Sequence, residues 1–294
     1  MPGAKETTGQ IEYYSRAMKA PRIREAAARL ADQARDNGWT HEEYLAAVLS
    51  REVAAREASG AETRARAAGF PARKSLEDFS FDHQPGLKRD TIAHLATGAF
   101  LTEASNIVLL GPPGTGKTHL ATGLGLRATQ LGHRVLFATA IDWVARLQSA
   151  HQNGRLPQEL VRLRRYGLII VDEVGYIPFE QDAANLFFQL VSSRYEHASL
   201  ILTSNLPFAR WGDVFGDQVV ASAMIDRTST TRKSSPSKAL ATASSTHRRT
   251  HCPRQDRRMR QNSHVNVAQF STHEMAHFST IADRRGSWRS QCMA

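Results

Sequence analysis

Gly111-Pro112-Pro113-Gly114-Thr115-Gly116-Lys117-Thr118 is the stretch on which the fold turns. It fits G-x-x-x-x-G-K-[ST], the loop that wraps a nucleotide phosphate. Ile107-Val108-Leu109-Leu110 precedes it as a short apolar run that reads as a buried strand, and a helix is expected to begin at His119-Leu120-Ala121. Strand, glycine loop and helix together give the pattern a mechanism. The glycines let backbone N–H groups curl around a phosphate without Cβ clashes. The helix N-terminus adds a partial positive charge. In this reading Lys117 reaches the β- and γ-phosphates and the Thr118 hydroxyl holds Mg²⁺. The nucleotide-binding set is Gly111, Pro112, Pro113, Gly114, Thr115, Gly116, Lys117, Thr118 and His119.

Downstream, Leu168-Ile169-Ile170-Val171-Asp172-Glu173 is an apolar run ending in two carboxylates. That is the pattern of a buried parallel strand delivering acids to its C-terminal edge, where ligands of open α/β sheets sit. Asp172 is expected to bind Mg²⁺, directly or through water, and Glu173 to act as the base that polarises an attacking water. Leu200-Ile201-Leu202-Thr203-Ser204-Asn205 repeats the pattern with neutral polar residues. Asn205 is the candidate to orient that water or to sense the γ-phosphate; the plainer reading of Asn205 is a turn former. A further strand is expected over residues 134–139. Helices are expected over residues 91–100, 141–150, 155–166, 183–195 and 217–227, the last ending in Arg227.

Ahead of the loop, residues 1–10 read as a disordered start and residues 12–68 as helical. Ile23, Ala27, Leu30 and Ala34 keep helical spacing up to Asn37-Gly38. Thr40 and Glu43 form a capping box, and Tyr44, Leu45, Val48 and Leu49 are the expected apolar stripe of the next helix. Arg51, Arg56, Arg64 and Arg66 can meet phosphates, but Glu52, Glu57 and Glu62 nearby favour a solvated, charge-paired face. Gly69-Phe70-Pro71 ends the helix, and Leu76, Phe79 and Phe81 anchor a linker over residues 71–90. The expected domains are therefore a helical N-terminal unit over 1–70, a nucleotide-binding core over 71–227, and a tail over 228–294.

The 294 residues carry a formal net charge of +10. That charge is unevenly placed: residues 228–294 hold 12 Lys and Arg against three Asp and Glu, and residues 1–227 hold 26 against 25. The folded body is thus nearly neutral, and any DNA-binding surface on it must come from local clustering. Cys252 and Cys292, far apart, indicate neither a disulfide framework nor a metal site. No apolar run is long enough for a membrane span and the start lacks a signal-peptide core, so a cytoplasmic protein is expected.

Phosphate loop, Asp172-Glu173 and Asn205, in this order on alternating strands and helices, resemble the AAA+ ATPases. Finer stretches are similar to one family, the IstB-type helper ATPases of insertion sequences. They are Gly111 to Leu120, Val171-Asp172-Glu173-Val174-Gly175-Tyr176-Ile177-Pro178, Ala184-Asn185-Leu186-Phe187-Phe188-Gln189-Leu190, Thr203-Ser204-Asn205-Leu206-Pro207-Phe208 and Trp211-Gly212-Asp213-Val214-Phe215-Gly216-Asp217. The resemblance reaches from about residue 15 to Arg227. It implies an α/β fold: a AAA+ P-loop core with a parallel sheet flanked by helices. It also implies ATP and Mg²⁺, assembly as a homo-oligomer on double-stranded DNA, a transposase partner, and Arg227 as an arginine finger. Kinship with DnaC-type helicase loaders makes a replication factor the rival reading. Beyond Arg227 the text departs from the family, which carries a short strand and a final Arg-containing element there. One set of permissible codons for residues 228–246, read one frame over, gives an apolar and basic continuation of the family's kind. The tail is accordingly read as frameshifted, disordered and adding nothing to the nucleotide fold, with a genuine basic DNA-binding tail as the alternative. A third reading is a C-terminally damaged remnant that binds ATP without productive turnover.

Overall fold

The computed structural model describes residues 4–84, 86–229 and 266–269. Three helices lead: α1 (Ala4–Ala17), α2 (Pro21–Asn37) and α3 (His41–Ala67). The first corrects the expectation of a disordered start. Its polar sequence packs against α2, and its Glu12 carboxylate pairs with Arg16 and with Arg24 of α2. Helix α2 ends at Gly38 in the left-handed conformation (φ 65°), and α3 opens with the Thr40–Glu43 capping box read from the sequence. Their shared core is small: Ala26, Leu30 and Val48, flanked by Ile23, Tyr44 and Ala47. The expected stripe on α3 splits. Tyr44 and Val48 face α2, whereas Leu45 and Leu49 are exposed, because they sit one step round the helix from the seam. Buried Glu52 finishes the unit, accepting from the Arg22 backbone N–H at 3.0 Å and the Arg56 Nε at 2.6 Å.

Helix α3 runs on into the nucleotide-binding core. Arg64 Nε donates to the Thr129 carbonyl (2.9 Å), and Phe137 N–H donates to the Ala68 carbonyl (2.8 Å). The core then follows as α4 (Arg89–Ala96), α5 (Ala99–Thr102), β1 (Ile107–Leu110), α6 (Lys117–Gln130), β2 (Val135–Thr139), α7 (Ala140–Gln152), α8 (Leu156–Leu163), β3 (Leu168–Val174), α9 (Gln181–Arg194), β4 (Ser199–Ser204), α10 (Trp211–Phe215) and α11 (Gln218–Ser229). The single helix expected over 91–100 is broken at Gly98. There φ is +82°, and a Cβ would lie 2.4 Å from the Leu131 side chain.

All strand pairs are parallel, in the order β2-β3-β4-β1 plus one further strand at the β1 edge. Their continuous apolar runs follow from burial on both faces. Val108, Leu110, Ile169, Val171, Leu200 and Leu202 face α7, α9, α10 and α11, together with Trp143, Phe187 and Trp211. Ile107, Leu109, Leu168, Ile170 and Ile201 face α4, α5 and α6, together with Leu120 and Leu124. Alternate residues of each strand thus feed opposite layers, the period-two geometry of a strand. Strand β4 lies between β1 and β3, so its polar C-terminal end separates the phosphate loop from the acidic edge.

The further strand, β5 (Asn266–Gln269), corrects the expectation that the tail adds nothing to this fold. It pairs parallel with β1, from Ile107 opposite Asn266 to Leu110 opposite Gln269. The physical reason is the edge itself: unpaired backbone N–H and C=O groups of β1 take any extended segment that reaches them. Cys252, Cys292 and the expectation of disorder in the rest of the tail lie outside the described residues.

Trp143 is fully buried between α7 and β3, and its indole N–H donates to the Ile170 carbonyl at 3.0 Å. Trp143→Ala is expected to cost about 3–5 kcal/mol, from the cavity that loss of the indole leaves. Chemical denaturation of the full chain measures this, and a loss under about 1 kcal/mol contradicts the packing described.

Candidate nucleotide-binding site

The loop between β1 and α6 carries three glycines with positive φ, Gly111 (156°), Gly114 (77°) and Gly116 (85°). Gly116 is doubly constrained, because a Cβ there would meet the Phe79 ring at 2.6 Å. The linker over residues 71–90 is therefore part of the site's scaffold. Phe79 packs on Gly116, Leu76 lies against Gly123, and the His119 ring meets the Ser75 carbonyl at 2.7 Å and the Phe79 ring edge-on. Lys117 is buried. Its ammonium donates to the Pro112 carbonyl (2.6 Å) and the Thr115 hydroxyl (3.3 Å). Burial pushes this ammonium below the ordinary lysine range, and the Asp172 carboxylate opposes that shift. An anion in the loop would further favour the charged form.

Asp172 ties the site together. Its carboxylate accepts from the Thr118 hydroxyl at 3.0 Å, which brings the start of α6 to the end of β3. It also accepts from the Thr203 hydroxyl at 2.5 Å, across from β4. Between Val171, opposite Leu202, and Val174, opposite Ser204, strand β3 carries one residue more than β4. This is a β-bulge, a device that re-aims a side chain next to a site. Glu173 occupies it at φ 63°, a left-handed conformation that costs a non-glycine residue about 1–2 kcal/mol. The result is that Asp172 points inward, buried, while Glu173 is exposed.

Glu173 borders a cleft of about 380 Å³, and Asp172 lies buried behind its Thr118 and Thr203 walls. The cleft is lined by Pro113, Gly114, Gly116, Lys117, Thr118 and His119 on the loop side, by Glu173 and Tyr176, by Thr203, Ser204 and Asn205, and by Lys74 from the linker. The sequence-derived residues of the loop, β3 and β4 are thus brought together. The Asn205 Oδ1 atom is buried without a hydrogen-bond partner among the described residues, which leaves an acceptor ready at the cleft for a water or ligand donor. Sequence reading missed Lys74, Tyr176, Thr203 and Ser204. For Thr203 and Ser204 the signal was present, since they share the polar end of β4 with Asn205. For Lys74 nothing local distinguishes it from other linker lysines.

Arg227 is not in its own chain's cleft. Its backbone carbonyl accepts from Asn106, at the opposite end of β1 from the loop, and its guanidinium lies 4.6 Å from the centre of the Phe188 ring. The N-terminal arginines follow the charge-paired reading in part. Arg56 pairs with Glu52, Arg66 pairs with Glu62, and Arg64 is spent on the Thr129 carbonyl.

The donor set suits Mg²⁺. A hydroxyl and a carboxylate already in contact, Thr118 and Asp172, offer the hard oxygen ligands this ion takes alongside phosphate oxygens. Loop amides and a buried ammonium beside the same cleft suit a nucleoside triphosphate, and the Asn205 amide oxygen suits a donor such as water.

Comparison with known proteins agrees with this chemistry. The family described as IstB-like ATP binding protein matches residues 14–238, running eleven residues past Arg227, where the sequence resemblance was read to stop. The ATP-binding protein of insertion sequence IS21 from Pseudomonas aeruginosa is 45% identical over 198 residues, 67% of this chain and 75% of that protein. The ATP-binding protein of insertion sequence IS5376 from Geobacillus stearothermophilus is 36% identical over 218 residues, 74% of this chain and 87% of that protein. Among solved structures, AMPPCP-bound DnaA from Aquifex aeolicus aligns with a TM-score of 0.46 at 21% identity, covering 53% of this chain and 48% of that one. The DnaC helicase loader aligns at 0.41 and 21% identity, covering 47% of this chain and 82% of that one. Overlaps of this extent assign no residue roles.

Gly116→Ala forces a Cβ into Phe79 and a side chain onto a left-handed backbone. It is expected to weaken ATP binding by about tenfold or more, read by titration with a fluorescent ATP analogue. Unchanged affinity contradicts the loop geometry given above.

Proposed function

The chain belongs to the IstB-like ATP-binding proteins, and we propose that it is a Mg²⁺-dependent ATPase that assembles as a homo-oligomer on double-stranded DNA and recruits or regulates the transposase of an insertion sequence. The observation that carries the enzymatic part is the pairing at the end of β3: Asp172 turned inward onto Thr118, Glu173 turned outward into the cleft that Thr118 lines. The insertion-sequence names of the relatives support the transposition part and favour it over helicase loading. ATP and DNA as ligands make the cytoplasm the expected compartment. Among the described residues no helix is long and apolar enough to cross a membrane.

In this reading the loop amides surround the β- and γ-phosphates, and Lys117 exchanges the Pro112 carbonyl for phosphate oxygen. Thr118 and Asp172 would hold Mg²⁺, which when bound offsets phosphate charge. Glu173 accepts a proton from the attacking water, and Asn205 Oδ1 accepts a hydrogen bond that fixes that water's orientation. His119 acts through the linker, holding Ser75 and Phe79 against the loop. Arg227, at the far end of β1 in its own chain, is assigned to the cleft of a neighbouring subunit, where a cation stabilises charge on the transferred phosphoryl group.

The test is ATP turnover by the full chain, with and without duplex DNA. Lys117→Ala is expected to lose ATP binding. Glu173→Gln is expected to bind ATP as the parent does and to hydrolyse it about 10²–10⁴-fold more slowly, the usual contribution of a general base. A Glu173→Gln variant that turns over at the parent rate moves the base elsewhere. An ATP-binding parent with no turnover under either condition favours the damaged-remnant reading.

A further inference from the structure

Resting on the hydrolytic reading above, we infer that Thr203 is a positioning residue that aims Glu173, and that it governs turnover without governing nucleotide binding. Its hydroxyl is buried and makes two bonds of fixed direction. It donates its one proton to Asp172 Oδ1 (2.5 Å) and accepts from the backbone N–H of Glu173 (2.9 Å). An ionised carboxylate can only accept and an amide N–H can only donate, so a single hydroxyl satisfies both and cannot reverse.

The position explains why a hydroxyl is needed. Thr203 is the lone residue of β4 facing the bulge formed by Asp172 and Glu173, between the Leu202–Val171 and Ser204–Val174 pairs. In a regular ladder a backbone carbonyl would receive the Glu173 N–H. The extra residue removes that partner, and the Thr203 side chain takes its place. The neighbouring Ser204 hydroxyl donates to the Val174 carbonyl at 2.6 Å, closing the bulge on its far side. Two adjacent hydroxyls of β4 thus hold a backbone that carries Glu173 at φ 63°. Without Thr203 the Glu173 N–H has no acceptor, the left-handed conformation loses its support, and the carboxylate is free to swing from the water it must meet. Displacements of about 1 Å at a reacting group can cost about 10²-fold in rate. The loop, Lys117 and Thr118 keep their own contacts, so nucleotide binding survives.

The experiment compares Thr203→Val, which keeps the shape and removes the hydroxyl, with Thr203→Ser, which keeps the hydroxyl, in the full chain. Thr203→Val is expected to lower kcat by about 10–100-fold while the Kd for ATP moves by less than about threefold, and Thr203→Ser is expected to recover most of kcat. Hydrogen exchange of residues 172–176 supplies a readout independent of turnover. The Glu173 amide should exchange about tenfold faster or more in Thr203→Val and near the parent rate in Thr203→Ser. Thr203→Val turning over within about twofold of a parent that Glu173→Gln inactivates overturns the inference. So does unchanged Glu173 exchange in Thr203→Val, whether or not the parent hydrolyses ATP. A parent insensitive to Glu173→Gln is instead a failure of the hydrolytic reading, and exchange alone then decides the role of Thr203 in holding the bulge.

Discussion

The Asp172 carboxylate takes hydroxyl hydrogen bonds from two sides, Thr118 at the start of α6 and Thr203 on β4. A buried charge without partners is costly to fold around. The Thr118 bond registers the phosphate loop against the acidic edge of the sheet, and the Thr203 bond belongs to the bulge that carries Glu173. The location of these contacts follows from topology. Strand β4 lies between β1 and β3, so a residue on β4 is the only kind that can reach the acid from the loop's side of the sheet while staying within a regular strand. The bulge that turns Glu173 outward then separates the two adjacent carboxylates, leaving one to hold and the other to react.

The scaffold behind the loop is set by the segment ahead of the core. Helix α3, about 40 Å long at 27 residues, passes from the small N-terminal unit to contacts with α6 and β2. The linker after it lays Leu76 on Gly123 and Phe79 on Gly116. The N-terminal helices and the phosphate loop are thus joined by continuous contacts: hydrogen bonds from Arg64 and Phe137 to backbone carbonyls, the Glu62–Arg73 ion pair between α3 and the linker, and the linker's apolar side chains.

The phosphate loop, the strand before it and the acid-tipped β3 were legible in the sequence because each is a local pattern: fixed glycine spacing, or an apolar run with a polar end. Helix caps at Thr40 and the break at Gly69 were legible for the same reason. What escaped depended on partners distant in the chain. The first turns of α1, up to residue 10, look disordered by composition, yet they continue a helix that packs on α2. Leu45 and Leu49 share a helix with Val48 yet miss the seam. The role of Thr203 exists only because β3 carries an extra residue opposite it, which no reading of β4 alone reveals. Phe79 reads as a core anchor, and only the fold brings it against Gly116. The pairing of Asn266–Gln269 with β1 is a property of the open edge more than of those four residues.

In the proposed function Thr118 and Asp172 form one oxygen site for the ion that accompanies ATP. The most direct measurement is calorimetric titration of ATP into the full chain, with Mg²⁺ and with the ion chelated, for the parent and for Asp172→Asn. Mg²⁺ is expected to tighten ATP binding in the parent by about tenfold or more, and Asp172→Asn is expected to abolish this difference while retaining ion-free binding. An equal gain from Mg²⁺ in Asp172→Asn, with its fold intact, contradicts the claim and places the ion's ligands elsewhere.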